Sequence, residues 1–375
     1  MELHLVSLNV PYPANYGGVI DIFFKIKALS TSGVGIHLHC YDYGRGSQDI
    51  LNSFCRSVTY YKRKVGLRSA FSSKPYIVKT RNSKELLVNL CKDSHPILFE
   101  GLHTTYWLNH PDIKNRIKIV RTHNLEHEYY QYLSLKEKNL LRKIYFKSEA
   151  RKLARYESIL KQATRIAAIS PSDAQYFATH YQNTFLLPAF HPYNQVKSEE
   201  GMGTYLFYHG DLSVRENIQA ALFLADAFKD EPFSVVFAGN KPPKELIKTL
   251  QGKPQFQLIE NPPTKKMSEL LSQAHVVLLP TFQPTGIKLK LIASLYEGRH
   301  CIVNTNMIKN TGLEKLCHLA NTREEFVLKA KMLMNQSFDN KDLIIRKEIL
   351  GKWFDNQRNA EILIQEIQKL QVTNF

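Results

Sequence analysis

Eleven short apolar runs punctuate the chain, separated by longer stretches of helical character. Six lie in the first half: "LHLVSLNV", "IHLHCYD", "ILFE", "IKIVR", "RIAAIS" and "FLLP". Five lie in the second: "TYLFYHG", "FSVVFAG", "FQLIE", "HVVLLP" and "HCIVN". Apolar runs of this length, rich in β-branched and aromatic residues, read as strands. Strands that alternate with helices pair in parallel, with helices covering both faces of the sheet. Two such series make two doubly wound α/β domains, and 375 residues are more than one core usually supports. The polar stretch "PAFHPYNQVKSEEGMG" (188–203), with two prolines and two glycines, separates the series. The expected organisation is an N-terminal domain over 1–190, a linker over 191–203 and a C-terminal domain over 204–350. A terminal helix follows over 351–375, with a return to the N-terminal domain open to it.

Helix starts are marked by caps. "SLKE" (Ser134–Glu137) and "SVRE" (Ser213–Glu216) fit the capping box, in which the serine oxygen accepts from the third amide and the glutamate reaches back. "SPSD" puts Ser170 at the cap and Pro171 at the first helical position.

Four loops fall at carboxyl ends of expected strands, the side of an open α/β sheet where ligands bind. In the first, Gly17 and Gly18 let backbone approach a ligand ahead of a helix, although no GxGxxG is present. In the second, "RTHNLEHEYY", His123 and Asn124 stand just past a strand end. His123 and His127 are four apart, a spacing that invites zinc, but HEXXH is missing, and a substrate-contacting loop fits better than a metal site. In the third, Gly210 ends a strand and Ser213 caps a helix. Arg215 and Asn217 are the candidates there, since the capping box accounts for Glu216. The fourth is "TFQPTGIKLKLIASLYEGRH", with a helix expected from Gly286. Lys288 and Lys290 fall in its first turn and Glu297 in its last, the reverse of what the helix dipole favours. An anion over the helix start, held by free amides and two lysines, resolves that conflict. A lysine snorkelling past the helix end is the plain alternative.

The formal net charge of +16 is concentrated. Residues 60–81 hold seven Lys/Arg and no acid, and 130–162 hold nine Lys/Arg and three Glu, together +13 of the +16. With Tyr60, Tyr61, Phe71 and Tyr76 interleaved, these stretches suit an anionic membrane surface. They suit nucleic acid less well. No run reaches the length of a membrane span, and the start has no basic n-region or long apolar h-region. Five scattered cysteines without a CxxC pair fit a reducing cytoplasm.

At these loops the chain resembles GT-B glycosyltransferases, and within them glycosyltransferase family 4, over nearly its whole length. "PANYGGVIDIFFKIKALSTSGVGIHLHCY" resembles the family's opening, and "RTHNLEHEYY" the loop with its active-site histidine. "YESILKQATRIAAISPSD" resembles the helix, strand and turn before its linker. "YHGDLSVRENIQAALFL" and "FAGNKPP" resemble the first elements of its donor domain, and "TGIKLKLIASLYEGRHCIVN" its donor-binding helix. The resemblance implies two Rossmann-like doubly wound domains facing a cleft. It implies a nucleotide-sugar donor on the second domain, a glycan or lipid-linked acceptor on the first, retention of configuration and no metal or other cofactor. It places Gly17 and Gly18 near the donor phosphate and His123 near the transferred sugar, with Asn124 beside it. Gly210, Arg215, Asn217, Thr285, Gly286, Lys288 and Lys290 complete the donor set, Lys290 standing where many members carry a lysine.

Two departures bear on activity. The family's paired glutamates fall at positions that hold Thr285 and Ala293, and its basic pair after the third loop falls at Asp211 and Glu216. The expected function is transfer of a sugar in surface polysaccharide or glycoconjugate synthesis. The protein would be cytoplasmic and peripherally attached to the inner face of the membrane. A catalytically silent binding subunit and a sugar-nucleotide epimerase are the alternatives.

Overall fold

The computed structural model describes residues 1–283, 286, 288–309 and 311–373. They form two compact units. Unit 1 comprises residues 1–192 and the stretch from Phe354 onward, and unit 2 comprises Tyr193–Trp353.

Unit 1 holds a seven-stranded parallel sheet. Its strands are β1 (Glu2–Ser7), β2 (Gly35–Asp42), β3 (Ser57–Lys62), β4 (Ile97–Glu100), β5 (Lys118–Thr122), β6 (Arg165–Ala168) and β7 (Thr184–Leu186). Their spatial order is β3-β2-β1-β4-β5-β6-β7. Unit 2 holds six parallel strands: β8 (Tyr205–His209), β9 (Val235–Gly239), β10 (Phe256–Glu260), β11 (Ala274–Leu279), β12 (His300–Val303) and β13 (His318–Leu319). Their order is β10-β9-β8-β11-β12-β13. Each unit thus winds outward from its first strand, returns, and winds the other way. The reversals fall between β1 and β4 and between β8 and β11. At such switch points successive crossovers leave on opposite faces, and a crevice opens at the strands' carboxyl ends.

All eleven expected strands form. The two unexpected ones are edge strands. β3 reads "SVTYYK" and runs into the basic stretch, and β13 has two residues, too few for any periodicity. The central strands β5 and β11 are buried at every position. A parallel sheet clad by helices on both faces demands this.

The helices used below are α1 (Gly17–Thr31), α2 (Glu126–Lys136), α3 (Leu140–Tyr156), α4 (Pro171–Tyr181), α5 (Arg215–Ala227), α6 (Leu289–Glu297) and α7 (Asn356–Thr373). α7 belongs to unit 1, where Ala360, Leu363 and Ile367 join the core formed by Ile22, Ile26 and Leu29 of α1. The stretch 188–203 is anchored at both ends. Phe190 donates its amide to Asp21 in unit 1 (2.8 Å), and Lys197 donates its amide to the Tyr296 carbonyl in unit 2 (2.6 Å).

One of three expected caps forms: the Ser170 hydroxyl accepts from the Asp173 amide (3.1 Å) and starts α4. Ser134 lies inside α2 and donates back to the Gln131 carbonyl, while Asn139 caps α3. Ser213 donates to Asp211 (2.7 Å), and α5 starts after an extended Val214 with no side-chain cap. Serine three residues before glutamate is a common spacing. The cap goes where the chain turns from extended to helical, which that spacing alone does not locate. The capping box that does form joins Thr322 and Glu325. Gly286 does not open α6. It sits in a left-handed turn (φ 72°), and the helix begins at Leu289 with Lys288 as its N-cap.

Candidate active site

At the β1/β4 switch point of unit 1, four charged side chains are buried together. Asp21 and Lys25 lie one turn apart on α1, Glu100 ends β4 and Arg121 lies in β5. The Lys25 ammonium donates to Asp21 Oδ2 (3.0 Å) and to Glu100 Oε1 (2.7 Å). Arg121 donates to Asp21 Oδ1 (3.1 Å) and to the Leu187 and Pro188 carbonyls. His123 closes the network, with Nε2 3.0 Å from Glu100 Oε2 and Nδ1 3.9 Å from Asp21 Oδ2. Burial alone would raise the pKa of Asp21. Arg121, Lys25, His123 and the Phe190 amide hold it below the usual carboxylate range instead. Glu100 behaves likewise, with Lys25 opposing its burial.

Asp21, Glu100 and His123 present ligand atoms within 4.8 Å of one another, a spacing a metal ion would accept. The Lys25 ammonium already bridges both carboxylates, however, so the cation's place is filled by a side chain. Nor does the zinc pair suggested by His123 and His127 assemble. His127 turns to Glu157 (3.0 Å), away from the partners of His123.

Beside this network stands a second, unpaired one. His103 follows Gly101 after β4, and Glu126 opens α2. The His103 ring nitrogen Nδ1 is buried without a hydrogen-bond partner and lies 3.9 Å from Glu126. Burial pushes the Glu126 carboxyl up to about 7, against the pull of Arg81 and His127. Burial also drives His103 well below its ordinary value, helped by Arg81 and His123. Gly101 has φ 73°, and a Cβ there would lie 2.9 Å from the His103 ring and 3.4 Å from that of His123. Only glycine fits, and it seats both imidazoles at the end of β4.

Gly17 and Gly18 form the first turn of α1, whose N-cap Tyr16 supplies no side-chain cap. A Cβ on Gly17 would meet nothing within 4 Å, so packing inside unit 1 does not require glycine there. Asn124 follows His123, half-exposed, in the turn before α2.

At the β8/β11 switch point of unit 2 the charges are arranged otherwise. Lys290, in the first turn of α6, donates to Asn217 Oδ1 (3.0 Å) and lies 5.3 Å from the centre of the Tyr208 ring. Asn217, on α5, donates to the Asp211 carbonyl (2.9 Å) and crowds Gly210, where a Cβ would lie 3.1 Å from its side chain. The backbone is tighter still at Gly239: a Cβ there would fall 2.0 Å from the Gly210 carbonyl. β8 and β9 can therefore end side by side only with glycine at that position. Lys288 donates to the Gly286 carbonyl (2.9 Å). Burial lowers the Lys290 ammonium to about 8, Lys288 adds to the fall, and Glu216 opposes it. Glu216 is raised by its own burial despite both lysines. Below Lys290, His209 bonds the Ser294 hydroxyl (2.8 Å), which in turn donates to the Lys290 carbonyl (2.9 Å). Among the described residues Lys290 makes no ion pair. Arg215 is exposed at the start of α5, and Thr285 lies outside the described residues.

The expected donor residues Gly210, Asn217, Lys288 and Lys290 thus gather at one switch point. Gly17, Gly18, His123 and Asn124 belong to unit 1. Sequence reasoning passed over Asp21, Lys25, Glu100, His103, Arg121 and Glu126 in unit 1, and it set Glu216 aside as a cap. A signal existed for Asp21 and Lys25, charges four apart on the apolar face of "GGVIDIFFKIKAL". For the others the missing knowledge was strand order: only the sheet shows that β4 neighbours β1.

No family model matches the chain. A Klebsiella pneumoniae protein described as an uncharacterised 44.6 kDa protein in the cps region is 25% identical over 356 residues, covering 90% of this chain and 91% of that protein. Among solved structures, sucrose-phosphate synthase from Thermosynechococcus elongatus covers all of both chains at 13% identity, with a TM-score of 0.71. HepE of Anabaena, in complex with UDP and glucose, matches 98% of this chain and 100% of its own with a TM-score of 0.65 and 10% identity. A glycosyltransferase from Rickettsia africae matches 99% and 98% with a TM-score of 0.62 and 12% identity. Likeness along the full length means that this chain, with its two parallel-sheet units, has the GT-B fold of glycosyltransferases.

Proposed function

We propose that the protein is a glycosyltransferase that moves a sugar from a nucleotide-sugar donor to a glycan or lipid-linked acceptor. Retention of configuration and independence of a metal are part of this reading, as is attachment to the inner face of the membrane. The cps-region relative favours polysaccharide synthesis, and the UDP-bound neighbour favours a nucleotide donor. The observation that carries the reading is Lys290, a desolvated cation at a switch point that makes no ion pair among the described residues, with Lys288 beside it. A donor diphosphate supplies the missing anion. As the bond from the anomeric carbon to the phosphate oxygen breaks, its electron pair passes to the diphosphate, and preorganised lysines stabilise that charge. The acceptor oxygen bonds to the anomeric carbon on the same face, and its proton goes to the departing phosphate oxygen.

Calorimetric titration with UDP-, GDP- and ADP-sugars tests this. The variant Lys288→Ala/Lys290→Ala should bind the preferred donor about tenfold more weakly, or about 1.4 kcal/mol. Unchanged donor affinity would overturn the assignment. A second reading, a catalytically silent binding subunit, draws support from Ala293, which is buried in α6 where the family places a carboxylate. Glu216, from another helix, is a carboxylate on whose charge both lysines act. Donor binding without transfer to any acceptor, or hydrolysis, would favour that reading.

A further inference from the structure

We infer that the tip of the α2–α3 hairpin in unit 1 is a docking surface for an anionic lipid bilayer. The inference rests on the membrane attachment proposed above and names the element responsible.

The two helices spend part of their apolar surface on the fold. Tyr130 of α2 meets Phe146 of α3 (ring centroids 6.1 Å), and Leu153 is fully buried. The residues nearer the turn do not take part. Leu135 is 69% exposed, Leu140 70%, Leu141 78% and Ile144 57%. Every residue from Lys138 to Ile144 is exposed, including the whole first turn of α3. Four large aliphatic side chains exposed at one turn are costly in water unless something covers them.

The turn is also well defined. The Asn139 side chain accepts from the Arg142 amide (3.1 Å), and Glu137 accepts from the Asn139 amide (2.9 Å). Around the aliphatics stand Lys136, Lys138, Arg142, Lys143 and Lys147, with Glu137 the single acid in that span. Apolar side chains at the centre and a cationic collar match the acyl boundary and the anionic headgroups of a bilayer. A protein partner of ordinary composition would not need the collar, and a nucleic acid would not need the aliphatics. Farther along α3, Lys152 donates to the Ala70 carbonyl (2.8 Å) and ties down the segment that carries Phe71, which is 88% exposed.

This revises the surface expected from sequence. Of the aromatic residues counted on as anchors, Tyr61 is buried, Tyr60 packs against the core and the Tyr76 ring meets Tyr145. Arg63 lies over the Tyr43 ring (4.4 Å) and donates to Thr80 (3.0 Å), so it serves the fold. The anchors that remain are Phe71 and the aliphatics of the hairpin tip.

Co-sedimentation of the full chain with vesicles is the test. Phosphatidylglycerol-containing vesicles should bind it, and pure phosphatidylcholine vesicles should bind it at least about tenfold more weakly. Leu140→Ser/Leu141→Ser/Ile144→Ser alters only exposed side chains, so its thermal melt should match wild type. It should lose about tenfold in vesicle affinity. Lys138→Glu/Arg142→Glu/Lys143→Glu should lose at least as much and abolish the salt dependence. Donor affinity should stay unchanged in both variants, which separates this inference from the donor-site assignment. Equal binding to neutral and anionic vesicles, or none to either, overturns it. So does loss on charge reversal but not on the serine changes, which would indicate a nucleic acid or other polyanion. A wild-type dimer in sedimentation velocity that the serine variant dissolves would assign the tip to a second copy of the chain.

Discussion

At the β1/β4 switch point Asp21 and Glu100 face Lys25, Arg121 and His123, each of the three within 2.7–3.1 Å of a carboxylate. At the β8/β11 switch point Lys290 has an amide oxygen and an aromatic face, and the carboxylate of Glu216 acts on it only from beyond ion-pair distance. The topology is shared; the treatment of charge is opposite. At this switch point unit 1 compensates its buried charges internally, whereas elsewhere in the unit the buried Arg81 donates to the Leu8 and Ile77 carbonyls and, among the described residues, makes no ion pair. At its switch point unit 2 leaves Lys290 without an ion pair among the described residues, an arrangement that fits the donor-diphosphate site proposed above. In the reading proposed above, the two units would have separate tasks: unit 1 holds His123 against Glu100, and unit 2 would take its neutralising charge from the donor.

The largest effect should come from breaking the internal compensation. Asp21→Ala leaves Arg121 and Lys25 buried with one carboxylate between them, and such losses cost about 3–5 kcal/mol. Lys290→Met in unit 2 removes a charge already poorly solvated. Its ammonium, lowered to about 8, is still protonated at pH 7, so its removal should leave stability unchanged or raise it slightly. Denaturant unfolding followed by two probes, one for each unit, measures both. Equal destabilisation by the two changes would mean that the contrast between the switch points is only apparent.

A smaller effect, on turnover rather than folding, is expected at His123. It is held by Glu100 and stands at the end of β5, where a transition-state contact can be prepositioned. His123→Ala should cut turnover by about 100-fold, near 2.7 kcal/mol, with donor affinity within about twofold. Turnover that survives within twofold would reduce His123 to a lid on the Glu100 carboxylate.

The sequence declared the fold through its rhythm. Eleven runs become strands because parallel strands buried on both faces must be largely apolar, as "HVVLLP" is. β3 escaped because edge strands tolerate "SVTYYK", with its polar and charged positions. The donor-side residues were legible for a different reason. Gly210, Asn217, Lys288 and Lys290 stand next to strand ends, and loops after strands face the ligand side. Their convergence was not legible, since α5 and α6 meet only because β8 neighbours β11 across sixty-odd residues. Asp21, Glu100 and Arg121 were hidden by the same logic and by chemistry. Each is a charged residue within an apolar run, and one sequence does not show which of its charges will be paired in the interior.

The smallest expected effect sets the unpaired part of unit 1 against its paired part. Glu126 is nearly buried, and among the described residues no group donates a hydrogen bond to its carboxyl. Its pKa rises from 4.5 to about 7. Between those values the folded chain holds a proton that the unfolded chain has released, so folding stability falls as pH rises through that window. Asp21 has the opposite sign: its pKa is depressed by its cations, and its contribution is lost as pH falls toward and below 3.8. Glu126→Gln keeps the shape and removes the titration. Wild type and variant should match near pH 4.5, and the variant should be more stable above pH 7, by on the order of 1–2 kcal/mol. If the proposed acceptor hydroxyl meets Glu126, which lies 3.9 Å from His103, Glu126→Gln should also remove an ionisation near pH 7 from the rate profile while it stabilises the fold. A stability difference that stays flat from pH 4.5 to 8 would show that Glu126 is paired after all.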